Sequence, residues 1–135
     1  MSALAQVNIK VGSNKLKTAS MVIERVTRSA TVSPVVRDGV NQLVTSVERM
    51  KQHKVSFSSF SGLVSGDEIV VILQTSGDNS SGSNFIELPA IRFINGTECV
   101  WTFSIPSDWN GSLIVSALHK NYGMKQIGYR FFNLK

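Results

Sequence analysis

The sequence predicts an α+β fold: an antiparallel β-sheet with an N-terminal hairpin and a C-terminal helical segment, completed by a second copy of the chain. Three observations carry this expectation. The apolar run Ile69-Val70-Val71-Ile72-Leu73 has the length and β-branched content of a central strand. Asn95-Gly96, between Ile91-Arg92-Phe93-Ile94 and Thr97 to Ser104, is the strongest short hairpin signal in the chain. Asp108 is placed to cap a helix from about Ser112, with Leu113, Ala117 and Leu118 on one face and Gly123 beyond its end. A single sheet of this kind leaves a face uncovered, hence the expected partner copy.

The elements follow in order along one domain of 135 residues, divided as 1–34, 38–106 and 107–135. Val7, Ile9 and Val11 alternate with polar residues and end at Gly12-Ser13-Asn14, a half-buried strand. Thr18 to Val26 and Ala30 to Ser33 read as further strands, the second stopped by Pro34. In 38–51, Val40, Leu43, Val44, Val47 and Met50 stand at helical spacing behind a possible Asp38 cap, although Gly39 and the β-branched residues oppose a helix. From Lys54 the period is two: Val55, Phe57 and Ser59 point one way, Lys54, Ser56 and Ser58 the other. Ser76 to Ser83 is a polar loop, and Pro106 ends the strand that contains Trp101. Trp101 is expected in the core, Trp109 half exposed. A β-hairpin through Asn121-Tyr122-Gly123 competes with the C-terminal helix, because Ile114 and Val115 suit either.

Composition narrows the function classes. Hydrophobic residues make up 42% of the chain and charged ones 17%, a globular rather than a disordered balance. No apolar run approaches the roughly 18 residues of a membrane-spanning helix. The first residues lack the apolar stretch of a signal peptide, and a single cysteine, Cys99, fits folding in a reducing cytoplasm. Residues 1–54 carry nine Lys or Arg against three acids, whereas 55–118 carry one against six. The last seventeen residues add four bases and no acid. Basic ends around an acidic middle suit a polyanion-binding face or complementary surfaces between copies; ordinary solvated charge is the alternative.

Motifs for catalysis are missing. His53 and His119 have no ligand-type neighbours at metal spacing, and with one cysteine zinc is not expected. There is no Gly-x-Ser-x-Gly elbow and no phosphate-binding Gly-x-x-x-x-Gly-Lys loop. Asp67 and Glu68 are adjacent, so they cannot act as a carboxylate pair on a strand and are expected to be solvated in a turn. The expectation is a non-enzyme without cofactor.

An ordered set of short motifs resembles the coat proteins of single-stranded RNA bacteriophages, the leviviruses. It comprises Thr31-Val32-Ser33-Pro34, Asp38-Gly39-Val40, Lys54-Val55-Ser56-Phe57-Ser58, Ile86-Glu87-Leu88-Pro89, Ser104-Ile105-Pro106 and Leu113-Ile114-Val115, over about ninety residues. The resemblance implies a coat protein that dimerises, with C-terminal helices lying across the partner's sheet, and self-assembles into an icosahedral capsid around a single-stranded RNA genome. It implies a virion protein made in the bacterial cytoplasm, and makes 38–51 strand and loop rather than helix. Matched residue by residue, Val40, Lys54, Ser56 and Ser58 would contact RNA, and the family's RNA hairpin, whose binding represses translation, is the ligand the resemblance implies. The chain departs from the family at Val70 and Ile72, where Thr and Lys contacts would fall, in the lack of a stacking tyrosine within 97–104, and in the arm 125–132. The alternative is a small β-sandwich module that binds carbohydrate or protein through an aromatic platform of Trp109, Tyr122 and Tyr129.

Overall fold

The computed structural model describes residues 29–75 and 84–135. The expected strands at 7–11 and 18–26 and the loop at 76–83 lie outside them. Strand accounts for 57% of the described residues and helical turns for 3%, so the fold is all-β. The strands are β1 (Thr31–Arg37), β2 (Leu43–Val44), β3 (Ser46–Val47), β4 (Gln52–Ser61), β5 (Glu68–Thr75), β6 (Phe85–Glu87), β7 (Ile91–Arg92), β8 (Trp101–Ser104), β9 (Ser112–His119) and β10 (Lys125–Leu134).

They form two sheets, one ordered β2-β1-β4-β8 and the other β3-β10-β9-β5-β6, with β7 also paired to β5. The sheets curl around a single core as a half-barrel. That core takes Val36, Val55, Trp101 and Phe103 from the first sheet, and Val71, Leu73, Leu113, Val115 and Phe132 from the second. The expected single sheet completed by a partner's helices is therefore replaced by two layers drawn from one chain. A core built by both layers buries within one molecule the face that a lone sheet would leave to solvent.

The C-terminal helix is a strand hairpin. From Ser112 to His119, Leu113, Val115 and Ala117 face the core while Ile114, Ser116 and Leu118 face away. This period of two satisfies the core as the helical stripe could not. Gly123 adopts φ 69, closing a short 3-10 turn (Lys120–Tyr122) that leads into β10 rather than capping a helix. The competing hairpin reading is the observed one.

Asn95-Gly96 is a turn but not a hairpin. Thr97 N donates to Ile94 O at 2.9 Å, and only Gly96 has positive φ. A hairpin turn of type I′ needs positive φ at both central residues; with one, at the second, the flanking strands are splayed. The chain accordingly leaves the second sheet at β7 and enters the first at β8, which pairs with β4.

Pro34 does not end its strand. β1 runs through it because the pairing with β4 shifts between Ser33 and Pro34, leaving Ser58 as an extra residue on β4. Such a bulge tolerates a residue that lacks an N–H. In 38–51 no helix forms. Asp38 Oδ1 accepts the N–H groups of Val40 and Gln42 at 3.0 and 2.9 Å, which is cap chemistry spent on a turn. β2 pairs with β1 and β3 pairs with β10, so Thr45 is a corner at which the chain passes from one sheet to the other.

The remaining seams are also specific. Gly128 lies so close to β1 that a Cβ would collide with the Val32 carbonyl oxygen, and Arg130 Nε donates to Pro34 O at 2.7 Å. On the opposite side, Trp101 Nε1 donates to Pro89 O at 2.8 Å, and Phe60 meets Phe93 edge-on at 5.2 Å.

Candidate functional site

The outer face of the β2-β1-β4-β8 sheet is built by alternation. Val36 and Val55 are fully buried in the core, so their strand neighbours Arg37 and Lys54 point to solvent. Register then places Arg37 directly opposite Lys54, Lys54 opposite Thr102, and Gln52 opposite Ser104. Beyond the bulge, Ser33 faces Ser59, whose Oγ donates to Ser33 Oγ at 3.3 Å. None of the four strands contains an Asp or Glu. The face thus presents two cations among short hydroxyl side chains.

Like charges directly opposite one another in a sheet are destabilising, by a few tenths of a kcal/mol to about 1 kcal/mol. Here the cost is partly contained: Arg37 Nη1 donates to Asn41 O at 3.1 Å, which turns the guanidinium towards the end of the strand. Lys54 has no carboxylate within ion-pair distance among the described residues.

The four residues singled out by the resemblance divide. Lys54 is exposed on this face and lies beside Arg37. Ser56 shares the face but is buried to 6% exposure, leaving its hydroxyl little to offer a ligand. Ser58 is the bulged residue, its Oγ donating to Ser33 O at 3.4 Å. Val40 is 74% exposed, but it sits in the turn beyond β1 and not on the sheet. Arg37 is the partner that sequence reasoning missed. The signal was available only as pairing, since seventeen positions separate it from Lys54.

Other expectations change in the same way. Trp109 is buried at 5% and belongs to the core, so the aromatic platform of the alternative reading is not formed. Trp101 is in the core, as expected. Asp67 is not solvated: it is 5% exposed, its Oδ2 accepts Val64 N at 3.0 Å, and the same oxygen lies 3.3 Å from His119 Nε2. Val70 and Ile72 stand in the second sheet, 1% and 9% exposed, so they are far from offering ligand contacts. Burial and the neighbouring Glu98 carboxylate push the Cys99 thiol up, against any nucleophilic role.

Among the described residues no three His, Cys, Asp or Glu side chains are grouped to hold a metal ion, and no helix is long and apolar enough to cross a membrane. No family model and no curated protein matches the chain.

Proposed function

We propose that this is a non-enzymatic RNA-binding structural protein that engages the phosphate backbone of single-stranded RNA with the outer face of the β2-β1-β4-β8 sheet. One observation carries the reading: Arg37 and Lys54 are held side by side on a face whose strands contain no acid. Two like charges kept adjacent at a cost to the free protein become favourable when a polyanion lies across them. The small serine and threonine side chains around them let a backbone approach closely. Such contacts read charge rather than sequence, so binding is sequence-tolerant and salt-dependent.

The test is a titration of fluorescent single-stranded RNA across a salt series. Two phosphate contacts correspond to a log–log slope of roughly −1.4, and Lys54→Ser removes about one contact. The same substitution is expected to raise folding stability by a few tenths of a kcal/mol, because it relieves the Arg37–Lys54 repulsion. Unchanged RNA affinity in Lys54→Ser and in Arg37→Ser would remove the basis of the reading.

A second reading, assembly of many copies around RNA, draws support from Phe85, Tyr129 and Phe131. They are 55%, 57% and 60% exposed and lie on the outer face of the second sheet. In that case the units that assemble are already folded, unlike a coat dimer whose sheet is covered by partner helices. Size exclusion with absorbance at 260 and 280 nm separates the possibilities: particles rich in RNA support assembly, and a small RNA-free species opposes it.

A further inference from the structure

The turn at 94–97 carries the chain from one sheet to the other, and the RNA reading makes no use of it. It holds one of two Asn-Gly steps in the chain, Asn95-Gly96; the other is Asn110-Gly111. Asparagine is among the thermolabile residues. Before a glycine it is most vulnerable, because the glycine amide nitrogen attacks the asparagine side-chain carbonyl carbon with no side chain of its own in the way. Two features of a folded protein slow that attack: hydrogen bonds that hold the asparagine amide, and packing that fixes the peptide joining it to the glycine.

Asn95 lacks both. It and Gly96 are exposed. The Asn95 side chain has no hydrogen bond among the described residues; only its backbone N–H is held, donating to Ser65 Oγ at 2.8 Å. The Gly96 N–H likewise has no partner among the described residues, since the turn closes around it through Thr97 N donating to Ile94 O at 2.9 Å. Gly96 has φ 88, and no atom lies within 4 Å of where a side chain would start. The peptide that must react is therefore free to rotate in solvent.

Asn110 is restrained from three sides. Its own Nδ2 donates to Asp108 O, a long bond of 3.4 Å. The residue before it, Trp109, is buried in the core, and its carbonyl accepts Arg49 Nη1 at 3.0 Å. Just beyond Gly111, Ser112 already opens β9 and pairs with Asn133. The same dipeptide thus stands in two different mechanical settings.

We propose that Asn95 is a site of spontaneous deamidation, reacting ahead of Asn110 in the folded protein, and that the reaction loosens the connection between the sheets. Gly96 N bonds to Asn95 Cγ and gives up its proton, the Cγ–Nδ2 bond breaks, and ammonia leaves a cyclic succinimide behind. Water then opens the ring at either carbonyl, giving aspartate or isoaspartate. Solvent is the only co-reactant. Either product puts a carboxylate where a neutral amide stood, in a stretch (55–118) that already holds six acids against one base. Isoaspartate also adds a methylene to the main chain between Ile94 and Gly96, which spoils the closure of the turn from Thr97 N to Ile94 O. That turn is tied to the segment before β5, through Asn95 N to Ser65 Oγ and Gly66 N to Phe93 O, so the damage lands where the connector is anchored.

The test is mass spectrometry of the purified protein held at pH 8 and 37 °C, sampled over about two weeks and digested with a protease that cuts after glutamate. Cleavage after Glu98 puts the two Asn-Gly steps on separate peptides. In the folded protein Asn95 is expected to convert about threefold faster than Asn110 or more, and in urea the two rates are expected to agree within about twofold. Asn95→Gln keeps an amide on a longer side chain, which disfavours ring closure. Aged beside the parent, this variant is expected to hold its urea midpoint while the parent's falls. Conversion at Asn110 as fast as at Asn95 in the folded protein, a rate ratio unchanged by unfolding, or a parent midpoint that stays put while Asn95 converts would each overturn the proposal.

Discussion

Gly128 shows how one side chain, or its lack, sets the closure of the molecule. Its α-carbon faces the β1 backbone at Val32, and the obstructing atom is a carbonyl oxygen that cannot rotate away. Gly128→Ala is therefore expected to lower stability by about 2 kcal/mol in urea unfolding, since the β1–β10 seam must open to admit a methyl group. Cys99 makes a different residue-scale prediction. Its thiol is raised by burial first and by Glu98 second, so it stays protonated through neutral pH. Ellman's reagent is expected to label it only after unfolding. Because the folded value lies above the unfolded one, the associated stability is full below the unfolded thiol range of about 8.5 and declines as pH rises beyond it. Unfolding midpoints measured from pH 7 to 10 check the sign.

At the scale of elements, the strands were more legible than their partners. Val55 and the run 69–73 declare themselves by β-branched content, and both are strands. That they belong to different sheets was not legible, because pairing depends on residues far away in the chain: β4 pairs with β1 and β8, β5 with β9 and the 85–92 segment. Ser112–His119 misled for a related reason. Its apolar residues match a helical stripe and a strand almost equally, and only the core on one side of the sheet decides between them. The candidate site was half visible: Lys54 stands in a clear strand pattern, whereas Arg37 becomes its neighbour only through register. Between elements, the indole N–H of Trp101 ties β8 to the carbonyl of Pro89 at 2.8 Å. Trp101→Phe keeps most of the apolar volume and loses this bond, so it is expected to cost about 1 kcal/mol or somewhat more. Thermal unfolding of the variant measures it.

For the whole molecule, the decisive fact is that both layers of the core come from one chain. Folding stability is then a property of the single polypeptide, and the urea midpoint is expected to be independent of protein concentration over a hundredfold range. A midpoint that climbs with concentration would mean that association supplies part of the fold. The same architecture separates the surfaces: a cationic hydroxyl-rich sheet face and an opposite sheet with exposed aromatics. The face proposed for RNA and the exposed aromatics can therefore be perturbed one at a time.

Read alone, the chain determines a globular composition, most of the strand segments among the described residues and the basic character of Lys54's face. These follow from local properties: side-chain branching, alternation along the backbone and the distribution of charge. Tertiary structure alone decided that Ser112–His119 is a strand, that Asn95-Gly96 sends the chain between sheets, that Trp109 is core, and that Arg37 meets Lys54. Each of those depends on which distant strand supplies the hydrogen bonds and which side chains share the buried layer, and neither is encoded within any short stretch of sequence.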